Sequence, residues 1–241
     1  MAGRLFVGTS GWHYDHWTGP FYPDGLPAAD RLAFYARRFR SVEINASFYR
    51  LPARATLETW RATVGPGFVF AAKASRYATH MKKLKDPAAT IGRYFEAMSP
   101  LAEALAVVLY QLPPRWRCNV ERLAAFLDAL PPRPRAAFEF RDPSWFCAPV
   151  YDTLTAHGAA FCIHDLEGRT APDMVTADFV YLRLHGPDGA YRGRYGRNRL
   201  KPWVRRARAW RDEGRDVYCY FDNDENGYAA ADAQTLRDMA G

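Results

Sequence analysis

Polar residues stand in pairs, two positions apart, at the ends of three short apolar runs of this sequence. The pairs are Glu43 with Asn45, Glu139 with Arg141, and Arg183 with His185. Because residues two apart on a β-strand point to the same side, both members of a pair can face one cavity. Carboxylates and imidazoles transfer protons, and guanidinium groups hold anions. The spacing therefore predicts one polar site assembled from strand ends.

The other predicted strands also end in polar side chains. These are Thr9 and Ser10, Lys73, Gln111, His164 and Asp165, and Asp222 with Asn223. Any one of the polar residues at the strand ends, the pairs included, could instead belong to a buried layer that only stabilises the fold. Glu139 paired with Arg141 is an example. Burying so many charges is costly unless they are paired or meet a ligand. The set as a whole therefore favours a ligand site.

The residue types suggest acid and base chemistry. We expect Glu43 or Glu139 to act as general acid or base, with His185 as the proton partner. The cationic neighbours expected to position an anion are Arg141, Arg183 and Lys73. The residues expected to bind the ligand are Asn45, Lys73, Gln111, Arg141, Arg183, Asp222, Asn223, Trp12, Tyr49, Arg194 and Tyr195.

A divalent metal is the alternative. Its candidate ligands are Glu43, Glu139, Asp165 and His185, which are suitable donors from several strand ends. The arginines and lysine at the same rim would repel a cation, so the metal is the less favoured hypothesis. The sequence requires no cofactor, and the metal spacing HExxH is absent from it.

The runs that carry these residues alternate with stretches of helical spacing, which is typical of a parallel sheet with crossover helices. Eight strands are predicted, over Leu5 to Ser10, Val42 to Asn45, Phe68 to Lys73, Ala106 to Gln111, Ala136 to Arg141, Ala160 to Asp165, Phe179 to His185 and Val217 to Asp222. Eight strands and 241 residues match a single (β/α)8 TIM barrel, with residues 1–241 as one domain. An open doubly wound sheet is the competing topology, although no glycine-rich phosphate loop follows the first strand.

Helices are predicted over Ala28 to Phe39, Arg54 to Thr63, Ala88 to Glu103, Val120 to Leu130, Val150 to His157, Lys201 to Glu213 and Ala229 to Met239. The connection after the sixth strand, residues 166 to 178, contains Gly168 and Pro172 and shows no helical period. We expect this crossover to be irregular. The last two helices follow the strands after which barrels often bind phosphate.

The formal net charge is +7, and much of the excess lies between Arg192 and Arg211. This balance favours anionic partners in general. Arg194 and Tyr195 are the best ligand-binding candidates there, since the later arginines are expected to form a solvated helix face. Aromatic residues such as Trp12 and Tyr49 crowd the first two loops, where they could stack on a sugar or a base or simply pack together.

The four cysteines form neither a CxxC pair nor a zinc spacing, so we expect reduced thiols, with Cys162 and Cys219 in the core. We find no signal-peptide pattern at the start and no apolar run near 20 residues. A cytoplasmic protein without membrane contact is therefore expected. The sequence does not define an oligomeric state.

Ordered motifs along almost the whole chain resemble the family called domain of unknown function 72 (DUF72), or the YecE-like family. They include Gly8 to Trp12, Val42 to Asn45 with Ser47 to Arg50, Lys73 with Thr79 and His80, Gln111 to Pro114, Phe138 to Arg141 with Ser144 and Trp145, Tyr181 to Gly186, Tyr191 with Tyr195, and Tyr218 to Asn223. The resemblance implies a (β/α)8 barrel and an active site at its mouth, and it names no reaction. The family usually has Phe-Asn-Asn at the eighth strand, where this chain has Asp222 after Phe221.

Three hypotheses follow. The first is an enzyme that acts on a phosphorylated or sugar-like anionic, polyhydroxylated small molecule by acid and base chemistry. The second is a nucleic-acid binder or a metal-dependent phosphodiesterase of the endonuclease IV type, with Arg192, Arg194 and Arg197 along a phosphate backbone; this rests on fold-level analogy. The third is a barrel that binds a ligand without turnover.

Overall fold

The short apolar runs form strands, because β-branched and aromatic residues fit a pleated, buried surface. In the computed structural model, which describes residues 2–241, the strands are β1 (Leu5–Thr9), β2 (Ser41–Ile44), β3 (Val69–Lys73), β4 (Leu105–Gln111), β5 (Arg135–Glu139), β6 (Ala160–Leu166), β7 (Arg169–Thr170), β8 (Phe179–Leu184) and β9 (Asp216–Phe221). Eight of them are parallel, in the order β1-β9-β8-β6-β5-β4-β3-β2. The two-residue β7 lies off this path and pairs antiparallel with the end of β6.

The two ends of this sheet meet, which makes it a barrel. Ser10 and Glu43 form a parallel bridge just beyond β1, and the backbone N–H of Gly11 donates to the carbonyl of Glu43 at 2.8 Å. The Tyr35 hydroxyl lies 2.9 Å from the backbone nitrogen of Thr9 and donates to the Ser41 carbonyl, so it bridges β1 and β2. The predicted (β/α)8 barrel is confirmed, and the open sheet is wrong.

Helices surround the barrel. They are α1 (Arg31–Ala36), α2 (Ala46–Tyr49), α3 (Arg54–Thr63), α4 (Pro87–Met98), α5 (Val120–Asp128), α6 (Ala148–Ala156), α7 (Gly196–Asp212) and α8 (Tyr228–Ala240). Short 3-10 helices cover Asp15–Trp17, Ala28–Asp30, Ser99–Ala104, Pro143–Trp145 and Glu225–Gly227, and a π-helix covers Tyr77–Met81. Within residues 2–241, every helix falls short of the length and apolar character needed to cross a bilayer.

Several element ends differ from the sequence prediction. The helix predicted from Lys201 begins at Gly196, because the Asp232 carboxylate on α8 accepts the backbone N–H groups of Tyr195 and Gly196. A partner 36 residues away supplies this cap, so local sequence does not reveal it. The crossover after β6 contains only β7 and irregular chain, as predicted.

The barrel interior is filled by side chains from alternate positions of the strands. A buried cluster inside contains Phe6, Cys162, Tyr181, Tyr218 and Tyr220, while a larger core lies between the strands and the helices. Cys162 and Cys219 are buried free thiols, as predicted. Tyr181 and Arg183 lie two apart on β8, so both side chains face the barrel interior. The interior layer that follows the tyrosines toward the carboxyl ends of the strands is therefore charged.

Gly8 lies where β1 packs closely against β2, so adding one methyl group at this position should destabilise the barrel. A Cβ at Gly8 would lie 2.1 Å from the Ser41 carbonyl oxygen, so Gly8→Ala must push the strands apart. We expect a loss of about 2 to 3 kcal/mol in the free energy of unfolding, measured by urea denaturation. The control is Gly92→Ala in α4, where the Cβ meets open space and a gain of up to about 1 kcal/mol is expected. Equal effects of the two variants on stability would contradict close packing between β1 and β2 at Gly8.

Candidate active site at the barrel mouth

Arg183 is the centre of a buried ionic cluster near the carboxyl ends of the strands. Its guanidinium donates to Glu43 at 2.7 Å, to Glu139 at 2.9 Å and to Asp222 at 3.0 Å. Ser10 Oγ lies at 3.0 Å and His185 Nε2 at 3.2 Å. Only 1% of the residue is exposed. The five N–H donors of a guanidinium are therefore engaged within the chain, so Arg183 holds the carboxylates together instead of reaching for an anion.

Glu43 is held at its position by several donors. It accepts hydrogen bonds from Arg183, from the Tyr181 hydroxyl at 2.6 Å and from the Ser10 hydroxyl. The residue is fully buried. These donors fix the position of the carboxylate between β1 and β8. The predicted role of Glu43 as general acid or base stays a prediction.

Glu139 is held in a similar way. Its carboxylate pairs with Arg183 on one side and with Arg141 on the other. Burial acts to raise the pKa of Glu139, but Arg141 and Arg183 hold it well below its ordinary value. Glu139 therefore stays charged at neutral pH, and its role is to fix the two arginines.

His185 is oriented by its neighbours. Its Nε2 atom lies 3.0 Å from Arg141 Nη2 and 3.2 Å from Arg183 Nη1, and guanidinium groups only donate. Nε2 must therefore accept, which places the ring proton on Nδ1, where Asp222 accepts it at 3.0 Å. Burial acts to raise the pKa of Asp222, but Arg183 and the His185 hydrogen bond lower it. Asp222, where the family that the sequence resembles usually has Asn, thus orients the His185 ring.

Lys73 differs from the other charged groups because it has no carboxylate partner. It ends β3, it is half-buried, and its Nζ lies 4.3 Å from the centroid of the Phe48 ring. Within residues 2–241, the carboxylates of the cluster pair with Arg141, Arg183 or His185 and not with Lys73. Burial, followed by the charge of Arg183, lowers the pKa of Lys73 to about 8, against attraction by the carboxylates of the cluster. Both protonation states are therefore populated near neutral pH.

Other predicted residues lie around this cluster. Asn45 follows β2 and donates to Ser10 Oγ at 2.6 Å. Tyr195 is buried and donates to Asp165 at 2.9 Å. Asn223 is also buried, but it donates to the Gly193 carbonyl and to Asp232, so it fixes the last loop. Gln111 ends β4 in register with Glu139.

Three predicted ligand-binding residues lie outside the ionic cluster around Arg183. Trp12 is buried against Trp60, with ring centroids 4.8 Å apart. Tyr49 is 71% exposed. Arg194 is exposed, and its Nε lies 3.9 Å from Asp232. The nucleic-acid hypothesis, which uses this basic loop, stays a prediction.

Sequence reasoning missed two contributors to the site. Tyr181 bonds Glu43, and its position two residues before Arg183 on a strand was the available signal. Tyr14 donates to the Ser10 carbonyl at 2.6 Å, which brings the first loop onto the cluster. The sequence indicates His164 only as a strand end. Burial lowers the pKa of His164 to about 4, so this side chain is uncharged near neutral pH. Its ring centroid lies 6.2 Å from the ring centroid of His185.

The expected metal ligands do not converge. Glu43, Glu139 and His185 contact arginines, and Asp165 accepts from Tyr195. Within residues 2–241, no group of three or more His, Cys, Asp and Glu side chains is arranged to hold a metal ion. At this centre the candidate ligands are engaged with arginines or with Tyr195, and the divalent metal stays a prediction.

Fold and site together define a (β/α)8 barrel with a charged cluster at its mouth. The model of the family described as "Protein of unknown function DUF72" matches residues 6–241, and the chain belongs to this family. It is 27% identical to the UPF0759 protein YunF of Bacillus subtilis, over 98% of this chain and 94% of that protein. It is 28% identical to the UPF0759 protein YecE of Escherichia coli K12, over 59% of this chain and 50% of that protein.

A solved structure is similar as well. A crystal structure of a DUF72 family protein from Thermotoga maritima superposes with a TM-score of 0.82 at 27% identity, and the match covers 98% of each chain. The family relationship and the fold therefore agree over the full length of the barrel.

The cluster predicts a large cost for removing one carboxylate charge. Glu43→Gln keeps the side-chain shape but leaves Arg183 short of a buried counter-charge, so the free energy of unfolding should fall by about 3 to 5 kcal/mol. Urea denaturation at neutral pH measures this. Glu58→Gln, which breaks only the exposed pair with Arg54, is the control and should change stability by less than about 0.5 kcal/mol. If Glu43→Gln were equally mild, the cluster would not be a structural requirement.

Proposed function

We propose that the barrel mouth is the active site of an enzyme that binds an anionic, hydroxyl-bearing small molecule and transfers a proton on it. The observation that carries the proposal is Lys73, a half-buried amine that faces the cluster without an ion-pair partner. An ammonium group withdrawn from water and left unpaired is unfavourable. An anionic ligand would supply the missing partner.

Arg141 is a second group with a hydrogen-bond donor that has no partner in the part of the chain that the structure describes. Its Nη2 contacts Glu139 and His185, whereas its Nε is buried without a partner within residues 2–241. A guanidinium held at one end by a carboxylate presents its remaining donors in a fixed plane, which suits a carboxylate or phosphate oxygen. Arg141 and Lys73 are therefore the anion-binding pair, in place of Arg183.

The same groups define a proton-transfer step. While Arg141 holds the anionic end, the fraction of Lys73 that is neutral at a pKa of about 8 can take a proton from a carbon next to a carbonyl, and the electron pair then moves onto the carbonyl oxygen. The positive charge of Arg141 stabilises the oxyanion that forms. In a substrate with a hydroxyl on the deprotonated carbon, return of the proton to the former carbonyl carbon and transfer of the hydroxyl proton to the first oxygen would complete an isomerisation, while loss of a leaving group from the β-carbon would complete an elimination. Glu43 and Glu139 keep the arginines in place throughout.

The pKa of Lys73 predicts how anion binding depends on pH. Sulfate is a suitable probe because its charge is constant above pH 4. A charged Lys73 favours binding, and deprotonation with a pKa of about 8 should lower sulfate affinity about tenfold between pH 7 and pH 9. Isothermal titration calorimetry over this range measures the effect. Lys73→Met should bind weakly and without this pH dependence.

The matched control for this experiment is Lys201→Met, which removes an exposed lysine of α7. It should retain the affinity and pH profile of the unmodified protein. Sulfate binding that is unchanged by Lys73→Met, or that does not weaken as the pH rises through 8, would contradict the proposed role of Lys73.

A further inference from the structure

A groove that is lined mainly by uncharged side chains, with His13 at its exposed edge, lies beside the ionic cluster. It is formed by the loop after β1, by residues 28 to 32, by the start of α2 and by one face of α3. Its volume is about 420 Å³, and its lining contains no Asp, Glu, Lys or Arg within residues 2–241. Pockets that hold small molecules have similar volumes and mostly apolar linings.

Aromatic and aliphatic side chains form the walls of the groove. Trp12 and Trp60 meet edge to face, with an interplanar angle of 82°, and both line the groove. Leu32 and Ile44 add buried apolar surface. Rigid aromatic rings of this kind bind other planar rings by stacking or edge contacts. The walls thus suit a flat, neutral group.

Asn45 connects the groove with the cluster. The single proton of the Ser10 hydroxyl goes to Glu43, so Ser10 Oγ must accept from Asn45. This fixes the Asn45 amide with its nitrogen on Ser10, and Oδ1 is left buried without a partner within residues 2–241. An unpaired buried acceptor is unfavourable. A ligand that carries an N–H or O–H donor would satisfy it.

Tyr14 forms a second connection. It lines the groove, and its hydroxyl donates to the Ser10 carbonyl at 2.6 Å. Ser10 in turn contacts Arg183 at 3.0 Å. Ser10, with Tyr14 and Asn45 that contact it, therefore lies between the groove and the ionic cluster.

We propose that this groove binds a planar, neutral ring that belongs to the same molecule whose anionic end meets Lys73 and Arg141. The substrate class is then an oxyanion, such as a carboxylate or phosphate, linked to an aromatic or heteroaromatic ring with a hydrogen-bond donor. This inference rests on the proposed function for the anionic end, whereas the ring site depends only on the groove.

Two sulfonates of equal charge test the inference. Benzenesulfonate and methanesulfonate differ only in the ring, so benzenesulfonate should bind at least tenfold more tightly in titration calorimetry. Ala29→Trp, which fills the groove from an exposed position, should abolish this preference and leave methanesulfonate affinity within twofold. Ala55→Trp, exposed on α3 outside the groove, is the control and should retain the preference. Trp60→Ala should also reduce it.

Neutral rings separate this inference from the proposed function. Indole should bind in ligand-detected NMR, lose its signal with Ala29→Trp, and bind more tightly than 1-methylindole, which lacks the N–H donor. Equal affinities for the two sulfonates, or a preference that survives Ala29→Trp, would overturn the ring site. Indole binding without any sulfonate or sulfate binding would instead overturn the proposed anion site alone.

Discussion

The buried guanidinium of Arg183 requires counter-charges, and the upper layer of the barrel is arranged to supply them. Strands β2 and β5 contribute Glu43 and Glu139, and Asp222 follows β9; all three lie within 3.0 Å of its nitrogen atoms. Removing a cation from water costs several kcal/mol unless close partners and hydrogen bonds compensate. The charges of β2, β5, β8 and β9 therefore stabilise one another across the barrel, and they fix the positions of His185 and Arg141.

This constraint divides the charged residues into two groups. Glu43, Glu139, Asp222 and Arg183 satisfy one another and form the support, and His185 is hydrogen-bonded to Asp222 beside them. Lys73, Arg141 and Asn45 keep unused hydrogen-bonding or charge capacity at the mouth. In enzymes, groups with perturbed pKa values and free capacity are the usual reacting groups, while saturated neighbours position them.

Much of the architecture follows from local pattern. The alternation of strands and helices gave the barrel, and the spacing of two residues gave the inward direction of Glu43, Glu139 and Arg183. The roles within the site could not be read this way, because they depend on which strands oppose one another. Arg183 looked like an anion binder until its partners were known, and the start of α7 depends on Asp232 of α8. The groove at Trp12 and Trp60 likewise joins residues 48 positions apart.

The account depends most directly on the protonation of Lys73. With 13C-labelled lysine, the Lys73 Cε signal can be followed by NMR and assigned from its loss in Lys73→Met. The account predicts a titration midpoint near pH 8 that moves upward when sulfate is added, since a bound anion stabilises the ammonium form. A midpoint near the ordinary lysine value of about 10.4, or one that sulfate does not move, would contradict an anion-binding, proton-transferring site at the mouth of this barrel.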